Sequence, residues 1–428
     1  MNHKISERRY YILSVESRSP ISISNGISSE TDLDVIRNGS GEVFIPGTSL
    51  AGAFRNYMNQ GKNEAGVFGF SENKDGKMSS VHISDLYFDS TESVGTRDGI
   101  KLDEQKRVVD KSKYDMEIIE TGAFGKIYIQ FVKRDEDYDL NSIIYQIVKG
   151  INEGEIRIGA SKNRGFGRLY VNKVYEKIFS MAEESGDNLA EQWLDFVPKR
   201  KDVDEYKEVD ILQYRDTFTS QYIKLTIPLK QKGGISIRRY STKPGEADYE
   251  HITSNGKSVI PGSSWNGAIR AQIKKILKEL AYAPMNKIDG LLQEWFGHEV
   301  NANEPSRQSH VVIAESIIQD GKRVPVSRNN INRFTAATAT NMLYSEVACF
   351  DGHTELEIMV SKKYDYHKAV IGMLLLVVQD IQNGYLSVGG QAAIGRGIFE
   401  ANGGITISEE VSQAECQKAL YEFLYEVK

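Results

Sequence analysis

The sequence is poor in cysteine and has no hydrophobic run long enough to cross a membrane. Two of its 428 residues are cysteines, Cys349 and Cys416, which excludes a disulfide framework and a CxxC zinc site. The most apolar stretch, around Ile371 to Val378, is far shorter than the roughly 20 residues that span a bilayer. The first nine residues are polar and lack the apolar core of a signal peptide. These absences predict a cytoplasmic protein with no membrane partner.

An excess of positive charge is also missing. The net charge is −6, which argues against a protein that coats nucleic acid without specificity. The acidic residues are concentrated in residues 180–215, so the rest of the chain can still carry a basic groove. The seven histidines form no HxxxH pattern and none pairs with a cysteine at zinc spacing. A chain of this length predicts two domains.

What the sequence does contain is a glycine-rich loop that occurs twice. Residues 159–168 read Gly-Ala-Ser-Lys-Asn-Arg-Gly-Phe-Gly-Arg, and residues 389–398, which lie 230 positions later, align with them. Glycine admits positive φ and close approach, and successive N–H groups in such a turn form a concave site for anions. The loop is not a P-loop, because no Gly-Lys-Ser/Thr opens a helix. The cations predict a phosphate-binding turn in which Phe166 offers its face to a base; a plain tight turn is the alternative.

A helix start of the form Ile-Pro-Gly-(Ser/Thr)-Ser also occurs twice, at residues 45–49 and 260–264. The free N–H groups at a helix N-terminus bind phosphate well. Simple capping, worth about 1 kcal/mol, would explain the hydroxyl residues. It would not explain Gly52 and Gly267, which interrupt both helices at a cost of about 1 kcal/mol each relative to alanine. We therefore predict phosphate contacts from Thr48, Ser49, Arg55, Ser263, Ser264 and Arg270.

The loops and helix starts belong to a longer repeat. The order strand, helix, strand, strand, helix, strand occurs in residues 1–179 and again in residues 216–428, and the offset drifts from 215 to 230 positions. This is the ferredoxin-like order, which is also the scaffold of RNA-recognition motifs, although the aromatic signature of those motifs is missing. We predict an α+β protein of two tandem ferredoxin-like modules with inserted β-hairpin excursions. Residues 180–215 are predicted to be an acidic linker.

These repeated features together resemble the RAMP superfamily of CRISPR-associated proteins. The chain is most similar to backbone subunits of type III effector complexes, and its two fused modules resemble those of type III-D complexes. Such subunits line up along a guide RNA, and many cleave the target RNA paired to it. The resemblance implies guide RNA, target single-stranded RNA and other CRISPR effector subunits as partners. It implies guide-RNA contacts from Gly159, Ser161, Lys162, Arg164, Gly165, Phe166, Arg168, Gly389, Gly390, Gln391 and Arg396.

Two aspartates take the cleavage role on the same resemblance. Residues 32–37, Asp-Leu-Asp-Val-Ile-Arg, resemble the family's Asp-x-x-Val-Ile-Arg loop, which places the role on Asp32. Asp248 falls at the equivalent position, but His-Ile-Thr follows it in place of Val-Ile-Arg. The hypothesis is that each carboxylate helps a 2′-hydroxyl attack the adjacent phosphate, as general base or as ligand of a substrate-bridged Mg²⁺ or Mn²⁺. A solvated aspartate in an Asx turn is the alternative.

Three other functions stay open on the sequence. Residues 97–103 and 328–334 resemble the start of the family's thumb hairpin, which suits a subunit that displaces a target nucleotide, yet the chain could be a scaffold that binds guide RNA without cleaving. A guide-RNA-processing endonuclease, which the superfamily also contains, usually has a histidine base or a Tyr/Lys pair, and no histidine lies near the glycine loops. A two-domain small-molecule enzyme would bind no RNA.

Overall fold

The computed structural model describes the chain from residue 5 to residue 426, and the description leaves out 25, 27–30, 59–64, 73–74, 90–93, 101, 104–106, 135–138, 182–188, 199–202, 211–218, 241–245, 281, 299–306, 339–342 and 410. The chain divides into two compact units. The first unit comprises Met1–Gly99, Tyr114–Ala160 and Phe166–Ser220. The second unit comprises Ile100–Lys113, Ser161–Gly165 and Gln221–Lys428. Each unit has its own hydrophobic core.

The first unit is built on a seven-stranded sheet and three helices. Its helices are α1 Gly47–Met58, α2 Leu140–Asn152 and α3 Leu189–Asp195. Its strands are β1 Ile5–Ser17, β2 Phe44–Ile45, β3 Phe70–Glu72, β4 Asp75–Lys77, β5 Val81–Ile83, β6 Leu86–Phe88, β7 Val94–Gly99, β8 Tyr114–Ile119, β9 Phe124–Arg134, β10 Leu169–Ser180 and β11 Lys207–Val209.

The centre of this sheet has the ferredoxin-like strand order. β1 lies between β10 and β9, and both pairings are antiparallel; β5 and β6 then pair with β9. α1 follows β1 and α2 follows β9, so the split βαβ order predicted from the sequence is confirmed. The spacing of Ile143, Ile144, Ile147, Val148 and Ile151 predicts an amphipathic helix, and all five side chains are buried in the core on one side of α2.

The second unit repeats the plan with two additional helices. Its helices are α4 Gly262–Glu279, α5 Met285–Phe296, α6 His367–Gln382 and α7 Gln413–Glu426. Its strands are β12 Tyr222–Lys232, β13 Gly234–Ile235, β14 Arg238–Tyr240, β15 Tyr249–His251, β16 Thr253–Ser254, β17 Lys257–Ile260, β18 Val311–Ile313, β19 Ser316–Ile317, β20 Lys322–Arg328, β21 Tyr344–Phe350, β22 His353–Ser361, β23 Ile398–Ala401 and β24 Thr406–Ile407.

In the second sheet β12 lies between β23 and β22, and β18 pairs with β22, which is again the ferredoxin-like order. α5 lies where the repeat offset rises from 215 to 230, and the described part of the first unit has no α-helix at that point. The predicted excursions are hairpins in both units, formed by β7 with β8 and by β20 with β21. Each hairpin pairs with the segment that follows the first strand of its unit. Leu33 forms a β-bridge with Met116 in the first unit, and β15 pairs with β21 in the second.

Two local features differ from the sequence expectation. Both Pro-Gly helices begin at glycine, because the carbonyl groups of Pro46 and Pro261 accept the first helical hydrogen bonds. The alternative that the hydroxyl residues cap these helices is therefore wrong. The segment 180–215 holds α3 and β11, and β11 pairs with β10 at the edge of the first sheet. No described helix is long and apolar enough to cross a membrane.

Candidate nucleic-acid interface

The two glycine loops have the same backbone shape. Each contains a short 3₁₀ turn, at Lys162–Arg164 and at Ala392–Ile394. A left-handed residue precedes each turn, Ser161 at φ 52° and Gln391 at φ 62°, and a glycine with positive φ closes it. Non-glycine residues seldom adopt this conformation, so its presence at both positions indicates that the loop geometry is specified and not incidental.

The glycines that flank these turns are required by backbone packing. A Cβ on Gly167 would lie 2.1 Å from the carbonyl oxygen of Ile158, and a Cβ on Gly397 would lie 1.9 Å from that of Val388. The N–H groups of both glycines donate at 2.8 Å to the main chain that follows the first strand of their unit. The glycine pattern therefore follows from loop docking and does not by itself indicate a ligand.

The tip of the first loop, Ser161–Gly165, belongs to the second unit. Asn163 donates from Nδ2 to the carbonyl oxygen of Phe296 at 3.2 Å, and a Cβ on Gly165 would lie 2.6 Å from the main-chain nitrogen of Glu315. Lys162 is exposed on this tip, although neighbouring protein atoms lower the pKa of its ammonium group by desolvation. The tip therefore presents its cation from a fixed turn.

The starts of α1 and α4 present matching exposed faces. Residues 48, 52 and 55 lie at helical spacing on one face of α1, and residues 263, 267 and 270 do so on α4. A Cβ on Gly52 or on Gly267 would meet no protein atom within 4 Å. Both glycines are thus unexplained by internal packing, unlike those of the loops, and they leave open backbone between a hydroxyl residue and an arginine.

In the second unit this face lies beside the loop tip. A Cβ on Gly262 would lie 2.3 Å from the carbonyl oxygen of Arg164, so the tip touches the first residue of α4. Burial lowers the pKa of Arg270, the positive charge of Arg164 lowers it further, and Asp289 opposes both effects. The guanidinium groups of Arg164 on the tip and Arg270, about two turns into α4, are therefore close enough to repel each other, and an anion bound between them would relieve this repulsion.

The remaining predicted contact residues differ in accessibility. The buried ones are Gly165, Phe166 and Arg396. The half-buried ones are Ser49, Gly159, Ser161, Arg164, Arg168, Ser264, Arg270, Gly389, Gly390 and Gln391, and the exposed ones are Thr48, Arg55, Lys162 and Ser263.

Phe166 and Arg396 occupy equivalent positions and are both buried. Phe166 is 7% exposed and packs with Met116 and Ile118. Its ring is therefore buried, contrary to the expectation that it offers a face to a base. Arg396 is 5% exposed and donates to Glu346 at 2.7 Å. Both side chains hold their loop against the hairpin strand, and we leave them out of the RNA-contacting set proposed below.

Asp32 is exposed and forms a reciprocal pair with a second aspartate. Its main-chain N–H donates to Oδ1 of Asp115 at 3.0 Å, and its own Oδ2 accepts from the main-chain N–H of Asp115, also at 3.0 Å. The loop is held in place by Arg37, which donates to both carboxylate oxygens of Glu117 at 2.8 and 2.9 Å, and by the N–H of Val35 on the same carboxylate. The arginine of the sequence motif therefore positions the loop.

Asp248 has the same place in the second unit with a different partner. Its Oδ2 accepts from the main-chain N–H of Ser345 at 2.6 Å and from the hydroxyl of that serine at 3.2 Å. Positions 345 and 115 are equivalent in the repeat, so the first unit has two carboxylates here and the second has one. His251 is buried, and its Nδ1 accepts from the N–H of Ile237 at 3.1 Å, which gives it a structural role and not a catalytic one.

The donor set fits a divalent cation better in the first unit. One oxygen of Asp32 and one of Asp115 are engaged by main-chain N–H groups, which leaves one oxygen on each for a ligand. Mg²⁺ is commonly bound through one or two carboxylates together with substrate phosphate. No group of three or more histidine, cysteine, aspartate or glutamate side chains is placed to hold a metal ion within the described ranges.

Sequence reasoning missed Asp115 and Glu346. Both lie on the hairpin strands that the repeat identified, but their partners are 83 and 50 residues away in the chain. Alignment of the two copies places Asp115 opposite Ser345 and so shows a difference in charge, but it does not indicate that either residue contacts an aspartate.

Comparison with protein-family models identifies the family of this chain. The model of the RAMP superfamily matches residues 14–170 and 233–400, which is one region in each unit and more than half of the chain. A search of curated proteins found no similar sequence. Each matched region contains one Pro-Gly helix and one glycine loop; the first begins within β1 and the second begins just after β12.

Proposed function

The chain belongs to the RAMP superfamily, and on that premise we propose that it is a guide-RNA-binding backbone subunit of a type III CRISPR effector complex that cleaves target RNA. Membership implies a CRISPR-associated RNA-binding subunit, with guide RNA and other CRISPR subunits as partners. The type III assignment, the contact residues and the cleavage are our proposal. The observation that carries it is the duplicated exposed helix-start face with its open glycine.

Guide-RNA phosphates are proposed to bind at the starts of α1 and α4. Thr48 and Arg55 lie on this face of α1, and Ser263 and Arg270 lie on the equivalent face of α4, where the helix dipole favours negative charge. The absent side chains of the two helix glycines allow a sugar-phosphate chain to approach the helix backbone. Phosphate contacts fix position without reading sequence, as a subunit that accepts any guide requires.

Target cleavage is proposed at Asp32, with Asp115 as its partner. Asp32 accepts the proton of a target 2′-hydroxyl, the 2′-oxygen bonds to phosphorus, and the bond to the 5′-oxygen breaks. The products are a 2′,3′-cyclic phosphate and a 5′-hydroxyl, and the leaving oxygen takes a proton from water. Mg²⁺ or Mn²⁺, held by the free oxygen of Asp115 and by substrate phosphate, would stabilise charge on the phosphate; in the alternative role, Asp32 would be a ligand of the ion and not the base. In the second unit, Asp248 would act without a second carboxylate.

The test is cleavage of a labelled complementary RNA by the assembled complex. Asp32→Asn and Asp248→Asn are expected each to abolish cleavage at one position, and the double variant at both. Asp365→Asn, at an exposed aspartate in the turn before α6 and outside both sites, is the matched control and should cleave normally. Normal cleavage by the double variant would make the chain a scaffold whose neighbours cut the target.

Two further experiments distinguish the proposed function from guide-RNA processing and from a small-molecule enzyme. Cleavage of a precursor repeat RNA by the isolated chain would favour guide processing. RNA binding should weaken with salt, and Arg55→Gln and Arg270→Gln should each reduce the logarithmic salt slope by about 1. An absence of RNA binding even at low salt would favour a small-molecule enzyme.

A further inference from the structure

An open cavity of about 400 Å³ lies in the second unit beside the second glycine loop. This volume is within the range of about 300–1,000 Å³ that is usual for small-molecule sites. The cavity is bordered by strands β14, β15, β20 and β21 and by the left-handed residue of the loop. Its lining residues are Arg238, Tyr249, Arg328, Tyr344, Gln391 and Ile394.

Positive charge exceeds negative charge around this cavity. The guanidinium group of Arg238 stacks 4.2 Å from the ring centroid of Tyr249 and makes no salt bridge to any residue the structure describes. Arg328 and Arg396 share one carboxylate, the fully buried Glu346, at 2.8 and 2.7 Å. Two arginines, Arg238 and Arg328, therefore line the cavity, and the carboxylate that pairs with Arg328 also serves Arg396, so the excess of positive charge favours an anionic ligand.

Gln391 carries a buried acceptor that lacks a donor. Its Nε2 donates to the hydroxyl of Tyr249 at 3.0 Å and to Oε2 of Glu346 at 2.9 Å. Because a carboxylate only accepts hydrogen bonds, the amide nitrogen must face Glu346, and this fixes the position of Oε1. Oε1 is buried and has no partner among the described residues. A buried acceptor without a donor is unfavourable, and a ligand hydroxyl or amino group that donated to it would remove that penalty.

We propose that this cavity binds one ribonucleotide. Arg238 and Arg328 hold its phosphate, and a ribose hydroxyl or a base amino group donates to Oε1 of Gln391. Tyr344, which is 39% exposed, offers its ring to the base. The same site is absent from the first unit, where the positions of Arg238 and Gln391 hold Ser24 and Ser161.

The occupant is a free nucleotide or one nucleotide of a single-stranded RNA. Tyr249 and Tyr344 directly adjoin Asp248 and Ser345 in the chain, so the cavity neighbours the second proposed cleavage position. The proposal does not depend on guide-RNA binding, because a mononucleotide alone tests it. Binding of guide RNA by the Arg238 variant is measured separately, so that failure of one proposal is distinguishable from failure of the other.

The experiment is calorimetric titration of the full chain with uridine 5′-monophosphate, adenosine 5′-monophosphate, uridine, inorganic phosphate and a five-residue oligouridylate. Both mononucleotides should bind, and uridine and phosphate should bind more weakly. Arg238→Gln should weaken nucleotide binding about tenfold, the size expected for one lost charged hydrogen bond. Gln391→Ser should weaken it as well. Arg239→Gln is the matched control, because Arg239 is an exposed neighbour on β14 and does not line the cavity.

If the oligouridylate binds more tightly than uridine 5′-monophosphate, the ligand is a nucleotide of single-stranded RNA. If the two affinities are equal, the ligand is the free nucleotide. Both results support the site. Three results would overturn it: no binding of either mononucleotide at millimolar concentration, phosphate binding as tight as that of the nucleotides, or equal weakening by Arg238→Gln and Arg239→Gln. Arg238 is exposed and its substitution should leave the fold intact, which thermal unfolding of the variant checks.

Discussion

Arg396 donates from Nη2 to Oε1 of Glu346 across 2.7 Å, and both side chains are buried. At the equivalent positions of the first unit, 230 residues earlier, Phe166 and Met116 pack in one apolar cluster. The loop and the hairpin strand are therefore joined by an ion pair in one copy of the fold and by apolar contact in the other. The two pairs occupy equivalent positions, so Phe166 and Met116 indicate which apolar residues could replace Arg396 and Glu346.

This relationship predicts a strongly non-additive pair of substitutions. Glu346→Met leaves Arg396 buried without a counter-charge and should cost about 3–5 kcal/mol of unfolding free energy. Adding Arg396→Phe restores the apolar pair and should recover part of that loss, while Arg328 and Gln391 still lack the carboxylate that they contact in the parent. Urea unfolding followed by tryptophan fluorescence measures both, since Trp265 and Trp295 are buried in the second unit. A double variant as unstable as the sum of the two singles would contradict the exchange.

The general plan of the fold could be predicted from the sequence because the same order of elements occurs in both halves of the chain. Strand and helix patterns that recur with a nearly constant offset predicted the split βαβ order, and both units have it. What the sequence could not supply were contacts between distant segments, such as Asp32 with Asp115 or the loop tip with Phe296. The burial of Phe166 could not be predicted for the same reason, because Met116 and Ile118 lie about 50 positions earlier and no local sequence pattern indicates the contact.

Alanine at the helix glycines should separate stability from RNA binding. Gly52→Ala and Gly267→Ala add a methyl group that meets no protein atom, so each should raise the unfolding free energy by up to about 1 kcal/mol. The same methyl occupies the face proposed for the RNA backbone, so RNA affinity should fall. Gly290→Ala in α5 is the matched control, because its added Cβ also meets nothing and its helix carries no proposed contact. Thermal unfolding and filter binding measure the two effects, and unchanged RNA affinity in the first two variants would refute the proposed approach.

A serine-to-aspartate exchange should make the second cleavage position resemble the first. Ser345→Asp places a second carboxylate beside Asp248, as Asp115 lies beside Asp32. Two carboxylates bind a divalent cation more tightly than one, so half-maximal cleavage at the second position should need less Mg²⁺. A Mg²⁺ titration of the assembled complex with labelled target RNA measures this. Ser345→Asn has a similar shape without the charge and should show no such gain; an equal gain in both variants would exclude a carboxylate effect.

Acid should destabilise the second unit through His251. Burial, assisted by the charge of Arg323, lowers the pKa of His251 to about 4 from its usual 6.5. Between these values the unfolded chain binds a proton that the folded chain does not. The stabilising contribution is therefore complete above pH 6.5, falls as the pH is lowered, and is lost below about pH 4. The shift corresponds to up to about 3 kcal/mol.

His251→Asn tests this contribution, because an asparagine oxygen can accept from the N–H of Ile237 but does not titrate. The variant should lose much of the stability difference that the parent shows between pH 7 and pH 4.5 in urea unfolding. His82→Asn alters an exposed histidine of the first unit and should keep the parent's difference. If the parent and His251→Asn lose the same stability on acidification, His251 is not the group that makes the fold acid-sensitive.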